Sequence, residues 1–202
     1  MIDPVCASVV AALEDDPFYR CITAGHADDT AARRAALAQY FDYSIRQGER
    51  IGRVVRPADA RAGVAVWTLP QTGPIRERES LQKQTFLRAV LGETGCADHR
   101  RIVDYMSERA AALVGSDSWY LSIVAVAPEV QGRGFGAGLL TPTLAQADAA
   151  GARCYLETFS PATHGFYARF GFLITAEFDE PTTRARYALL VRDAQPAKRV
   201  GR

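Results

Sequence analysis

The chain has 202 residues, 48% of them apolar and 23% charged, with a formal net charge of +1. This suits one soluble globular domain, residues 1–202, able to bury a sizeable core. Charge of both signs is mixed along the chain, which gives no footprint for nucleic acid or an anionic membrane. No apolar run approaches the roughly 20 residues of a membrane span. The start, Met1-Ile2-Asp3-Pro4, lacks the basic and apolar regions of a secretory signal, so a cytoplasmic protein is expected. Cys6, Cys21, Cys96 and Cys154 are dispersed and read as reduced thiols. His26, His99 and His164 are isolated, and no metal site is expected.

Asp3-Pro4 opens a first helix with Val5, Val9, Val10 and Leu13 on one stripe. Glu14-Asp15-Asp16-Pro17 ends it, which leaves Phe18-Tyr19 in a loop, as a plug over the core or as a pocket wall. A second helix is expected over 28–47, with Ala31, Ala35, Leu37, Ala38, Phe41 and Ile45 apolar. Asp28 or Asp29 can cap it, and Gly48 can terminate it. Residues 50–56 and 63–69 predict a hairpin in which Trp67 is core.

Across 74–114 two helical segments fit, 77–91 and 98–113, joined by Gly92-Glu93-Thr94-Gly95. Their stripes are Leu81, Thr85, Leu87, Leu91 and then Ile102, Met106, Ala110, Leu113. Arg76, Glu77, Arg78, Glu79 and Lys83 read as a solvated face. The pair is expected to be a long crossover or an insertion that shapes a pocket.

A strand over 119–126 leads to a Pro-Glu turn and then to glycines at 132, 134, 136 and 138. The helix over 134–150 turns Leu139, Leu140, Thr143, Leu144 and Ala147 inward, and Pro142 should bend it. A strand over 153–159 completes a right-handed parallel unit. A short helix over 163–170 ends at Gly171, and strands 172–178 and 184–191 form a closing hairpin. The basic, proline-containing tail over 193–202 is expected to fray.

Glycines at a helix mouth leave backbone amides open to an anion. A Walker-type loop is excluded, because no Lys followed by Ser or Thr closes the turn. Gly132-x-Gly134-x-x-Ala137 fits a relaxed dinucleotide fingerprint, with Glu157 as the ribose acid. Residues 127–131 separate its first glycine from the strand, however, and the chain after Glu157 is too short for the remaining strands of that fold. The amides of Gly132, Arg133, Gly134, Phe135, Gly136 and Ala137 lie around a helix N-terminus, where an anion contact is worth up to about 2 kcal/mol. Arg133 can add a charge-assisted bond to a phosphate.

Val124-Ala125-Val126, Pro128 and Gln131-x-x-Gly134-x-Gly136 together resemble the acyl-CoA-binding motif of the GNAT superfamily of N-acetyltransferases. Tyr155-Leu156-Glu157-Thr158 and Phe166-Tyr167-x-x-Phe170-Gly171-Phe172 resemble its closing half, most nearly in the puromycin-acetyltransferase-like branch. The resemblance implies an α/β fold with a mixed, mostly antiparallel, splayed sheet and helices on both faces. It implies acetyl-CoA as co-substrate and direct transfer of acetyl to a primary amine. A small-molecule amine is the favoured partner; a protein lysine, a protein N-terminus and a non-catalytic acyl-CoA sensor are the alternatives, and a homodimer is compatible with it.

By the same resemblance, Val124, Ala125 and Val126 would hold the pantetheine arm, with the Val126 amide polarising the thioester. Gln131 belongs to the motif, and Tyr167 would protonate the leaving thiolate. Glu157 is the first candidate for general base, against a structural role in capping a loop, with Asp117, Tyr120 and His164 behind it. Two departures stand out. Ser160 occupies a position where the family usually carries a pantetheine-binding Asn, and the family's first strand has no counterpart before the first helix.

Overall fold

The computed structural model describes residues 1–196. From residue 197 onward the expected tail lies outside the described residues, while Gln195 is held by its amide to Asp148 at 2.7 Å. Helix α1 is Cys6–Leu13. Asp16 then caps α2, Pro17–Ile22, accepting from the Phe18 amide at 2.9 Å, with Pro17 at the first helical position. Phe18 and Tyr19 therefore stand on a helix and not in the expected loop. The Asp-Pro pair read as a stop also acts as a start.

Helix α3, Thr30–Ile51, is capped by Asp29 and runs through Gly48 to end at Gly52. Gly48 does not terminate it. A methyl group there would lie 2.7 Å from Val66 Cγ1 and 3.0 Å from Val54 Cγ2, so the glycine lets α3 lie close on the sheet. Helix α4, Gly73–Leu113, breaks into two limbs at Gly92, where φ is 70°. Its buried stripe differs from the expected one. Leu81 is 66% exposed and Leu113 is exposed, while Glu79, Leu87 and Leu91, then His99, Ile102, Met106 and Ala110, face inward. Glu79, read as surface, is 4% exposed and bonded to Arg50 at 2.9 Å and Gln47 at 3.2 Å.

The sheet has six strands in the order β1-β2-β3-β4-β6-β5. These are β1 Gly52–Val55, β2 Gly63–Thr68, β3 Trp119–Val126, β4 Cys154–Thr158, β5 Leu173–Glu180 and β6 Ala185–Arg192. Every pairing is antiparallel except β3 with β4, and α4 joins the neighbours β2 and β3. No strand precedes α1 among the described residues; β1, four residues long, forms that edge, and a short edge strand offers little template for further pairing.

Two cores sandwich the sheet. Helices α1 to α4 pack on Val64, Val66, Ile123 and Ala125. Helices α5, Phe135–Ala149, and α6, His164–Ala168, cover Ala65, Trp67, Leu121 and Leu156 on the other face. All five residues expected to point inward from α5 are buried, although Pro142 lies within it. Among the described residues, no helix is long and apolar enough to cross a membrane.

Leu121 and Ile123 are two residues apart on one strand yet belong to opposite cores. Regular pleating would put them on the same face. The register explains the reversal: Val66 pairs with Ile123 but Trp67 pairs with Leu121, so Ser122 is an extra residue in β3. It is a β-bulge, tied down by the Ser122 hydroxyl donating to the Val66 carbonyl at 3.0 Å.

The seat of α4 on α2 can be tested at Gly95. A methyl group there would run into the Ile22 carbonyl oxygen and come within 2.9 Å of Leu91 Cβ. Gly95→Ala should destabilise the fold by about 1–3 kcal/mol in urea unfolding despite alanine's better helix propensity. Equal or greater stability would show that the two helices are not packed this closely.

Candidate active site

Parallel strands β3 and β4 pair only at their starts, Trp119 with Cys154 and Tyr120 with Tyr155. Beyond the bulge they diverge. On its other side β3 stays paired with β2 through Val124, Ala125 and Val126. The Ala127 amide continues that side, donating to Ala62 at 2.9 Å. Because amides alternate along a strand, those of Val124 and Val126 point into the gap. The gap is thus an open sheet edge inside the molecule, bounded by donors without a strand partner among the described residues.

At the end of β3 the chain makes a short 3-10 turn, Pro128–Val130, and then reaches the glycines. Gly132 has φ 78° and Gly134 φ 86°, left-handed values that favour glycine. Gly134 is the N-cap of α5. The Ala137 amide donates back to the Gly134 carbonyl at 3.0 Å, so it is already committed. Those of residues 132–136 have no backbone partner among the described residues. Gln131 ties the turn to the strand, donating from Nε2 to the Val126 carbonyl at 3.1 Å. The four glycines do not share one purpose: Gly136 makes room for Phe166, whose Cζ would lie 2.9 Å from an added methyl group, and Gly138 faces open space. Arg133 and Gly134 are exposed and Phe135 is half-buried.

A cavity of about 310 Å³ lies against the gap and takes in side chains from α2, α3, α4, β3, β4 and α6. Glu157 and Tyr167 both line it. Glu157 alternates on β4 with Leu156, which is packed in the opposite core. Its Oε1 is buried without a partner among the described residues, and burial pushes its pKa up to about 7, with the Tyr120 hydroxyl partly offsetting the shift. Tyr120 and Tyr155 stack beside it, ring centroids 4.7 Å apart, where the strands part. Tyr167 is 7% exposed and meets Phe166 and Phe172 edge-to-face. Burial raises its pKa, and the nearby Asp16 carboxylate adds to the shift, so it holds its proton across the neutral range.

The remaining candidates separate by position. Asp117 is exposed, and neither it nor His164 is among the residues lining the cavity, whereas Tyr120 is. Ser160 follows β4: its amide donates to Thr158 Oγ1 at 3.1 Å and its carbonyl accepts from Thr163 Oγ1 at 2.7 Å.

Residues 89–173 match the family model of an acetyltransferase (GNAT) domain. The span begins near the break in α4 and includes β3, the glycine turn, β4 and Tyr167. Among solved structures, the chain resembles that described as histone acetyltransferase HPA2 and related acetyltransferase from Corynebacterium glutamicum. The two are 24% identical over 96% of this chain and 91% of that one, with a TM-score of 0.60. It also resembles arylalkylamine N-acetyltransferase 2 from Aedes aegypti, at 12% identity over 96% of this chain and 94% of that one, with a TM-score of 0.63. The chain has the GNAT fold.

Three cavity side chains escaped the sequence reading as site residues. Asp16, read as part of the segment that ends the first helix, lines the cavity beside Phe18 and Tyr19, and burial raises its pKa to about 6 against the pull of the Phe18 amide. Lys83, assigned to a solvated face, and the isolated His99 also line it, one from each limb of α4. The available signal was spacing: Glu79, Lys83, Leu87 and Leu91 repeat every fourth residue, so the first two share a face with buried leucines.

The Glu157 carboxyl should titrate near pH 7, well above its ordinary value of 4.5. Difference infrared spectra across that range, with Glu157→Gln removing the signal, provide the check. Titration below about pH 5, the range of an ordinary exposed carboxylate, would mean the group is hydrated and not buried.

Proposed function

We propose that this protein transfers an acetyl group from acetyl-CoA to a primary amine of a small molecule, by direct attack and without a covalent enzyme intermediate. One observation carries the reading. Val124, beside the gap, lines the cavity together with Glu157 and Tyr167, and the strand that bounds the gap runs on into the turn whose amides at residues 132–136 have no backbone partner among the described residues. The match of residues 89–173 to an acetyltransferase domain supports the same chemistry. The Tyr155-Leu156-Glu157-Thr158 strand and the Phe166-Tyr167 pair favour the puromycin-acetyltransferase-like branch.

In this reading the gap takes the pantetheine arm as an added strand, held by the backbone of Val124, Ala125 and Val126. The amides of the glycine turn face the pyrophosphate, with Arg133 beside them and Gln131 fixing the turn. Ala137 contributes through the helix start it helps close and not through a free amide. Ser160, in place of an amide side chain, can reach the arm only through its shorter hydroxyl. Bound acetyl-CoA supplies an acyl thioester. The Val126 amide would polarise the thioester carbonyl as its oxygen gains negative charge, a donor worth about 3 kcal/mol in the transition state.

Glu157, with a pKa of about 7, is matched to take the proton from the acceptor ammonium at neutral pH. The freed amine nitrogen bonds to the acyl carbon as the carbon–sulfur bond breaks. Tyr167 gives its proton to the departing sulfur and is restored by the second proton that the nitrogen sheds as the amide forms, while the proton on Glu157 passes to solvent, so an amide and a thiol leave. A cavity of about 310 Å³ walled by α2 and α4 suits a small amine better than a peptide chain.

Thiol release with acetyl-CoA across a panel of small amines and lysine peptides tests the activity. Tyr167→Phe should lower kcat by about 10²-fold or more while acetyl-CoA affinity stays nearly constant. Undiminished turnover would remove Tyr167 as the acid. Acetyl-CoA binding with no release from any amine would favour a sensor.

A further inference from the structure

The cavity is electrostatically divided. Asp16 and Glu157 supply carboxyl groups near Tyr167 and Tyr120. On the α4 side stands Lys83, its Nζ 5.7 Å from the centroid of the Tyr40 ring. Burial alone lowers the Lys83 pKa, to about 8, with no carboxylate offsetting it. Facing the same hollow is His99, 7% exposed, with its Nε2 buried and unpartnered among the described residues. Phe18 and Tyr40 rings pack around that imidazole, 5.6 Å and 6.0 Å away, and burial together with Lys83 keeps it neutral, its pKa near 3. Lys83, His99 and Val103 also line a second hollow of about 220 Å³ between the limbs of α4, so they form the wall that the two hollows share.

Lys83 is half-buried, and an ammonium partly withdrawn from water without a counter-charge carries a cost, as does a buried, unpaired imidazole nitrogen. Both costs fall when a ligand brings an anion to them. We infer that the acceptor is an amino carboxylate, whose amine meets Glu157 and whose carboxylate is received by Lys83 and by an Nε2–H of His99. A single cation beside a neutral donor matches a monoanion. The aromatic rings of Phe18, Tyr19 and Tyr40 also line the cavity and favour an apolar body joining the two ends. This inference rests on the acetyltransferase reading for the role of Glu157, and its charge-matching part stands apart from catalysis.

The test is calorimetric, without acetyl-CoA, on the full chain. Aryl and alkyl amino carboxylates of graded length are each compared with their decarboxylated amine. At least one pair should favour the carboxylate by about tenfold or more. That preference should fall toward parity in Lys83→Gln and return in Lys83→Arg, which a merely structural lysine would not produce. Parity across all pairs in the wild-type protein, or preference for the decarboxylated amines, overturns the inference. So does a preference that survives Lys83→Gln. A separate titration with acetyl-CoA keeps the two ideas apart. If Lys83→Gln loses acetyl-CoA affinity, the cation serves the co-substrate and the inference fails. If the wild-type protein binds amino carboxylates in the predicted manner but not acetyl-CoA, only the transferase reading fails.

Discussion

One extra residue in β3 sets the geometry on which the site depends. Ser122 interrupts the pairing with β2, so Leu121 and Ile123 bury into opposite cores. A bulge bends and twists its strand. Here the bend coincides with the point where β3 leaves β4, two paired residues into their contact. Without it, β4 would continue to satisfy the amides of Val124 and Val126, and no donor edge would remain for a ligand. An unpaired edge inside a sheet is a cost to the fold, met by the continuous β2–β3 pairing on the other side and by dense cores above and below.

The same layering places the chemistry. On β4, alternation sends Cys154 and Leu156 into the core beneath α5 and turns Tyr155 and Glu157 toward the gap. Helix α6 brings Tyr167 to the same hollow, its ring wedged between Phe166 and Phe172. Gly136 lets α5 approach Phe166 closely enough to fix that group against the glycine turn. The anion-facing end thus lies against Phe166, whose ring meets Tyr167 edge-to-face. The first three helices and α4 form the rest of the wall, and α4 contributes the Lys83 cation.

The second half of the chain was legible because its signals are local. Left-handed glycines, a helix N-terminus and the Phe-Tyr…Gly-Phe run sit at fixed spacings whatever packs around them. The bulge was not legible: residues 119–126 read as one uninterrupted apolar strand, and only the pairing register reveals the extra residue. Glu79 and Lys83 were misplaced because charged side chains on a helix are usually solvated. The burial of Glu79 depends on Arg50 and Gln47 of α3, and the half-buried place of Lys83 on the hollow itself, which are long-range facts. Gly48 and Asp16 illustrate a narrower ambiguity. A glycine within a helical pattern can mark an end or a close contact, and an Asp-Pro pair can close one helix while opening another.

The most direct test of the site is to titrate acetyl-CoA into uniformly 15N-labelled protein with assigned backbone amides. Occupation of the gap and the turn predicts the largest shifts at Val124, Val126 and residues 132–136, with the amide of Ala127, already bonded to Ala62, moving much less. Shifts confined to other parts of the chain, or none at saturating ligand, would contradict a donor edge built to receive it.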